Sequence, residues 1–201
     1  MNRVIIFLSI FLICNSLFSQ IDLYRDTSIN VIENNTSFKN AWASGINAAQ
    51  FNEIDLDLDG TMDLVVFDKS GNKLIPYLNK NGKFVFAPKY RSYFPELHDW
   101  VIFEDYNCDG KKDIYTYTSG GLGIYKNTSS SVLSFTLVTD LLLSDYGGPN
   151  PINIFISAVD IPAVSDVDYD GDLDILTFKI TGGFIEYHRN MAMEQTGNCD
   201  T

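Results

Sequence analysis

One nine-residue acidic loop recurs three times in this chain: Asp55-Leu-Asp57-Leu-Asp59-Gly60-Thr61-Met-Asp63, Asp105-Tyr-Asn107-Cys-Asp109-Gly110-Lys111-Lys-Asp113 and Asp166-Val-Asp168-Tyr-Asp170-Gly171-Asp172-Leu-Asp174. Oxygen-bearing side chains stand at positions 1, 3, 5 and 9, and Gly at position 6 permits a sharp bend. With a carbonyl oxygen from position 7, such a loop can wrap a hard cation such as calcium. An Asp-Gly hairpin turn accounts for one Asp per loop but not for alternating ligands over nine residues. An EF-hand needs a bidentate Glu at position 12 and flanking helices. Val66, Thr116 and Thr177 occupy that position, and the flanks read as strands.

The repetition extends beyond the loops. After each ninth-position Asp comes a short apolar segment: Leu64–Phe67, Ile114–Thr118 and Ile175–Phe178. A Gly turn follows, and then a second apolar segment that ends at Asn79, Asn127 or Asn190. Candidate strands also precede the loops, at 48–54, 100–104 and 161–165. Short strands broken by Gly turns predict antiparallel sheet, and no long stretch has helical periodicity. A unit of this length holds four short strands, as in a propeller blade. The expected fold is therefore all-β, a partial β-propeller of about three four-stranded blades, with repeats at roughly 40–97, 98–160 and 161–201. A small jelly roll or stacked β-array is the runner-up. Pro76 lacks the ladder donor and predicts an edge or bulged position. Segment 133–151 predicts an outer strand plus a surface loop at Gly147-Gly148-Pro149. A propeller has 4–8 blades, so three repeats would be the front of a longer protein or would close by oligomerising; truncation is the preferred reading.

The net charge of −12, from 14 basic and 26 acidic residues, equals the number of loop carboxylates. Clustered carboxylates repel unless a cation sits among them. No basic patch offers itself to phosphates, which argues against nucleic acid as a partner. Residues 1–19 read as a cleavable signal peptide: Arg3, an apolar run of about ten residues, and the small Ser19. That run is too short for a bilayer, which takes roughly 20 apolar residues. Bulky Ile13 disfavours lipidation at Cys14. Residues 20–201 would then lie outside the cytoplasm, secreted or on the cell surface. Export permits a disulfide between Cys108 and Cys199, and two free, partly buried thiols are the other reading.

His98 and His188 read as structural or surface residues, and no nucleophile–base constellation is suggested. Trp42, Trp100 and the tyrosines could stack on sugars but fit an inter-blade core better. The expectation is a non-catalytic protein. The alternative is the scaffold part of a secreted hydrolase or lyase acting on glycans or phosphoesters.

The segments 55–63, 105–113 and 166–174, with the strands after them, resemble the calcium cages of FG-GAP and VCBS repeats. Such repeats occur in integrin alpha-subunit β-propellers and in many secreted bacterial proteins. The resemblance implies side-chain ligands Asp55, Asp57, Asp59 and Asp63 with the Thr61 carbonyl. It likewise implies Asp105, Asn107, Asp109 and Asp113 with the Lys111 carbonyl, and Asp166, Asp168, Asp170 and Asp174 with the Asp172 carbonyl. It implies about three calcium ions and an adhesion or display role toward an extracellular protein or glycan. No Phe-Gly or Gly-Ala-Pro signature is present, so the likeness is to the cage. The chain also resembles large surface proteins of type IX secretion, without a recognisable C-terminal sorting domain.

Overall fold

The computed structural model describes residues 26, 28–43 and 45–199, so the signal peptide expected over 1–19 lies outside the described residues. The chain divides into two units, Met1–Ser37 and Phe38–Thr201. In the first, strands β1 (Ile32–Glu33) and β2 (Thr36–Ser37) form a small antiparallel hairpin. Its turn residues Asn34 and Asn35 have φ of 48° and 60°, the left-handed pair that a two-residue hairpin turn requires.

The second unit is all-β apart from short helical turns. Strands β3 (Ala49–Ile54), β4 (Asp63–Asp68), β5 (Lys73–Asn79) and β6 (Phe84–Phe86) form an antiparallel meander in chain order. Strands β7 (Val101–Glu104), β8 (Asp113–Thr118), β9 (Gly121–Asn127) and β10 (Phe135–Thr139) form a second. Next comes a two-stranded hairpin, β11 (Leu143–Ser144) with β12 (Ile152–Asn153). The third sheet has three strands, β13 (Ala163–Ser165), β14 (Asp174–Phe178) and β15 (Ile185–His188). A helical turn, α1 (Ala192–Thr196), follows where the earlier sheets have a fourth strand. The arrangement is propeller-like, with no closed barrel among the described residues.

Alternate residues along each second strand face opposite neighbours, as the pleat demands. In β4, Val65 and Phe67 pack with Leu74 toward Val101, Phe103 and Ile114 of the second sheet. Val66 and Ile75 point the other way, toward Ala43. In β8 the order repeats: Ile114 faces the first sheet, while Tyr115 joins Trp100, Leu122, Ile124 and Ile175 between the second and third. Each such side chain, fully buried, contributes about 1.5–3 kcal/mol. Trp100 is 0% exposed, so it belongs to this core and not to a sugar-stacking surface.

Pro76 departs from expectation. It lies in β5, opposite Val65 of β4, at neither an edge nor a bulge. Its carbonyl accepts the Ala87 N–H at 2.9 Å, so its nitrogen also faces the β6 side, just past the end of the β5–β6 ladder. The missing donor therefore removes no ladder bond. Segment 133–151 carries the expected outer strand as β10, and its loop is the turn of the β11–β12 hairpin. Among the described residues no helix is long and apolar enough to cross a membrane.

Candidate metal centres

Each acidic loop joins the first and second strands of its sheet, β3–β4, β7–β8 and β13–β14. The three share one backbone path. Position 4 is left-handed in all of them, with φ of 57° at Leu58, 56° at Cys108 and 65° at Tyr169. Glycine at position 6 is also left-handed, with φ of 84°, 83° and 107°. A non-glycine residue in this region costs roughly 1–2 kcal/mol, so other contacts must hold the turn.

Those contacts come from the Asp side chains. Asp55 accepts the N–H groups of Asp59 (3.1 Å) and Gly60 (2.8 Å), and Asp105 accepts those of Asp109 (3.1 Å) and Gly110 (2.8 Å). Asp166 does the same for Tyr169 (2.7 Å) and Gly171 (3.2 Å). The position-5 carboxylates of Asp59, Asp109 and Asp170 accept the N–H of Thr61, Lys111 and Asp172, which sets the main chain at position 7.

Position 9 is buried: Asp63 is 1%, Asp113 0% and Asp174 1% exposed. Both oxygens of each are already engaged. Asp63 accepts the Leu56 N–H (2.8 Å) and the Asn79 N–H (2.7 Å); Asp113 accepts those of Tyr106 (2.7 Å) and Asn127 (2.6 Å). Asp174 accepts those of Val167 (3.0 Å) and Asn190 (2.8 Å), and the Tyr187 hydroxyl as well. This Asp thus staples the loop entry to the segment where the third strand ends, through a backbone N–H that any residue but Pro could supply. The Asn79 and Asn127 amides in turn donate to the carbonyls of Met62 and Lys112. An ionised carboxylate has about four lone-pair sites, so each oxygen can take an N–H and still face a cation. Burial pushes the carboxyls of Asp63 and Asp113 above the usual range, the amide bonds pull them back, and neighbouring loop carboxylates push them up again.

Position 3 is the least satisfied. Asp57 Oδ1, Asn107 Oδ1 and Asp168 Oδ1 are buried without a hydrogen-bond partner. Leaving such an atom unpaired costs about 1–3 kcal/mol or more. Carboxylate oxygens of Asp55, Asp57 and Asp63 lie within 4.8 Å of one another, as do those of Asp166, Asp168 and Asp174. Among the described residues the second loop gathers no such acidic triad, since Asn107 replaces one carboxylate. Donors of this kind, hard oxygens with one orphaned at position 3 of every loop, fit a divalent cation.

Two basic residues that the sequence reading passed over also reach the loops. Lys80 Nζ lies 2.7 Å from Asp57 and 3.5 Å from Asp59. Arg189 pairs with Asp168 and Glu194 and lies 3.8 Å from Asp170. Asp172 was expected to offer only its carbonyl, yet its side chain is fully buried and accepts the Met193 N–H of α1 at 2.9 Å. Glu194 was also missed, and no repeat spacing points to it. The Asn at each repeat end, by contrast, recurs visibly.

Cys108 and Cys199 form a disulfide, with Cα atoms 5.9 Å apart. It ties position 4 of the second loop to the segment after α1, and both sulfurs lie against the Gly171 carbonyl of the third loop, at 3.5 and 3.6 Å. His98 stands at the surface near Asn72 and Glu96. His188 is buried between Thr177 and Ser144.

A family described as FG-GAP-like repeat matches residues 55–116, from the start of the first loop into β8. No curated protein and no solved structure matches the chain.

Proposed function

We propose that this FG-GAP repeat protein is a calcium-binding β-propeller-like protein of the cell exterior, non-catalytic, that displays a surface for adhesion or ligand capture. The observation that carries the calcium reading is the recurring position-3 oxygen, buried and unpartnered in all three loops. The ligand sets proposed are those named from the sequence, about one ion per loop. Asp55, Asp57, Asp59 and Asp63 would hold the first ion with the Thr61 carbonyl. Asp105, Asn107, Asp109 and Asp113 would hold the second with Lys111. Asp166, Asp168, Asp170 and Asp174 would hold the third with Asp172.

Calcium's part is structural: it cancels repulsion among loop carboxylates and so fixes the turn between the first two strands of each sheet. The proposed export agrees with this, because calcium sites of extracellular modules are weak and the exterior supplies the ion. For a dissociation constant near 0.1 mM and about 1 mM calcium, linkage contributes about 1.4 kcal/mol per site. Thermal melts in calcium and in chelator test the reading. A midpoint several degrees higher in calcium is expected, and coincident melts would refute it. Binding of the calcium-loaded chain to extracellular protein and glycan arrays tests the display role, and turnover of a glycan or phosphoester by the purified chain would contradict it.

A further inference from the structure

We infer that Glu194 joins the donor set of the third loop, so that this loop's cation site is completed by a side chain from outside the repeat. The inference rests on the cation-binding reading above. Oxygens of Glu194, Asp168 and Asp170 lie within 4.8 Å of one another, a group that shares Asp168 with the Asp166–Asp168–Asp174 triad. Within this group Asp170 Oδ2 is buried without a hydrogen-bond partner. Ionised carboxylates so close together repel unless a positive charge is placed among them.

A second observation comes from a side chain outside this group. Asp172 is 0% exposed, its Oδ1 has no partner, and its neighbours in charge are Asp170, Asp174 and Glu194. Its other oxygen holds the Met193 N–H, next in sequence to Glu194. The Ala192 N–H is held by the Asn190 side chain at 3.1 Å. The residues just before Glu194 are therefore held to the loop directly by Asp172 and indirectly by Asn190, whose own N–H is bound by Asp174. Arg189 contributes one positive charge, against the five loop aspartates and Glu194.

A purely structural role, in which Glu194 serves only to pair with Arg189, makes a different prediction. The test is calcium titration by calorimetry on the full chain and on Glu194→Gln, Arg189→Gln and the double variant. As a ligand, Glu194 gives about a tenfold loss of affinity at one class of site when replaced, and a loss of the same order in the Arg189→Gln background. Arg189→Gln alone strengthens that site by removing a competing charge. If Glu194→Gln changes nothing in the Arg189→Gln background, Glu194 acts only through Arg189 and the inference is overturned, while calcium binding itself stands. Calcium taken up by none of the four chains overturns both. Hydrogen exchange of the unaltered chain gives a readout that needs no variant to fold: calcium slows exchange over residues 192–196, and unchanged exchange there, with calcium bound elsewhere, overturns the inference.

Discussion

Within one loop, aspartates of identical chemistry do different work. Asp57 keeps one buried oxygen without a partner, the position the proposed cation would take, whereas Asp63 holds two backbone N–H groups with no ion present. Asp57→Asn should therefore leave stability in chelator nearly unchanged and remove only one site's share of the calcium-induced gain, about 1.4 kcal/mol under the conditions assumed above. Asp63→Ala should cost about 3–5 kcal/mol even in chelator, since it orphans the N–H groups of Leu56 and Asn79 in a buried setting, and about 1.4 kcal/mol more in calcium, because the same residue is a proposed ligand. Urea unfolding of both variants with and without calcium separates these outcomes. Equal losses from the two would mean that the loop does not divide its labour in this way. The spacing of oxygen donors was legible because it recurs three times. The second task of position 9 was not, because its partners lie in another strand. The left-handed turns at Leu58, Cys108 and Tyr169 were hidden for a similar reason: these residue types carry no preference for positive φ.

Strands nearest the loops were the readable elements. Those after each loop begin at the ninth-position Asp, and the third strands end at or near the repeat Asn. Outer elements were less so. Strand β6 is only Phe84–Phe86 and largely exposed, α1 is a single turn, and neither is long enough to show a period. The junction of β14, β15 and β11 holds a testable device. His188 bonds Thr177 Oγ1 at 3.2 Å and Ser144 Oγ at 3.0 Å, with the Tyr146 ring edge-on at 5.4 Å. Burial lowers its pKa below the ordinary 6.5, and Glu186 only partly opposes this. The unfolded chain thus takes up a proton at a higher pH than the folded chain does. The stability this confers is full above pH 6.5, declines as pH falls below it, and is lost as pH falls through the lowered folded value. Urea midpoints at pH 7.5, 6.5 and 5.5 should fall in that order, and His188→Gln should flatten the slope. An equal slope in the variant would place the titrating group elsewhere.

At the scale of the molecule, the surplus charge of −12 equals the carboxylates of the three loops. The repeat pattern made the meanders foreseeable, and it left the pairing of Cys108 with Cys199 open because the two are 91 residues apart. Closing a loop of that length stabilises the fold by about 4–5 kcal/mol on a chain-entropy argument. Reduction should lower the melting midpoint in calcium by well over 5 °C, and an unchanged midpoint would show that sheet packing alone holds the C-terminal turn. On the proposed reading the fold and its ions are coupled, because the loops bring carboxylates together at the turns between the first two strands of each sheet. The most direct test is to count the ions. After equilibrium dialysis against 1 mM calcium, elemental analysis of the folded chain should find about three calcium ions per molecule. A folded chain that retains none would contradict the account.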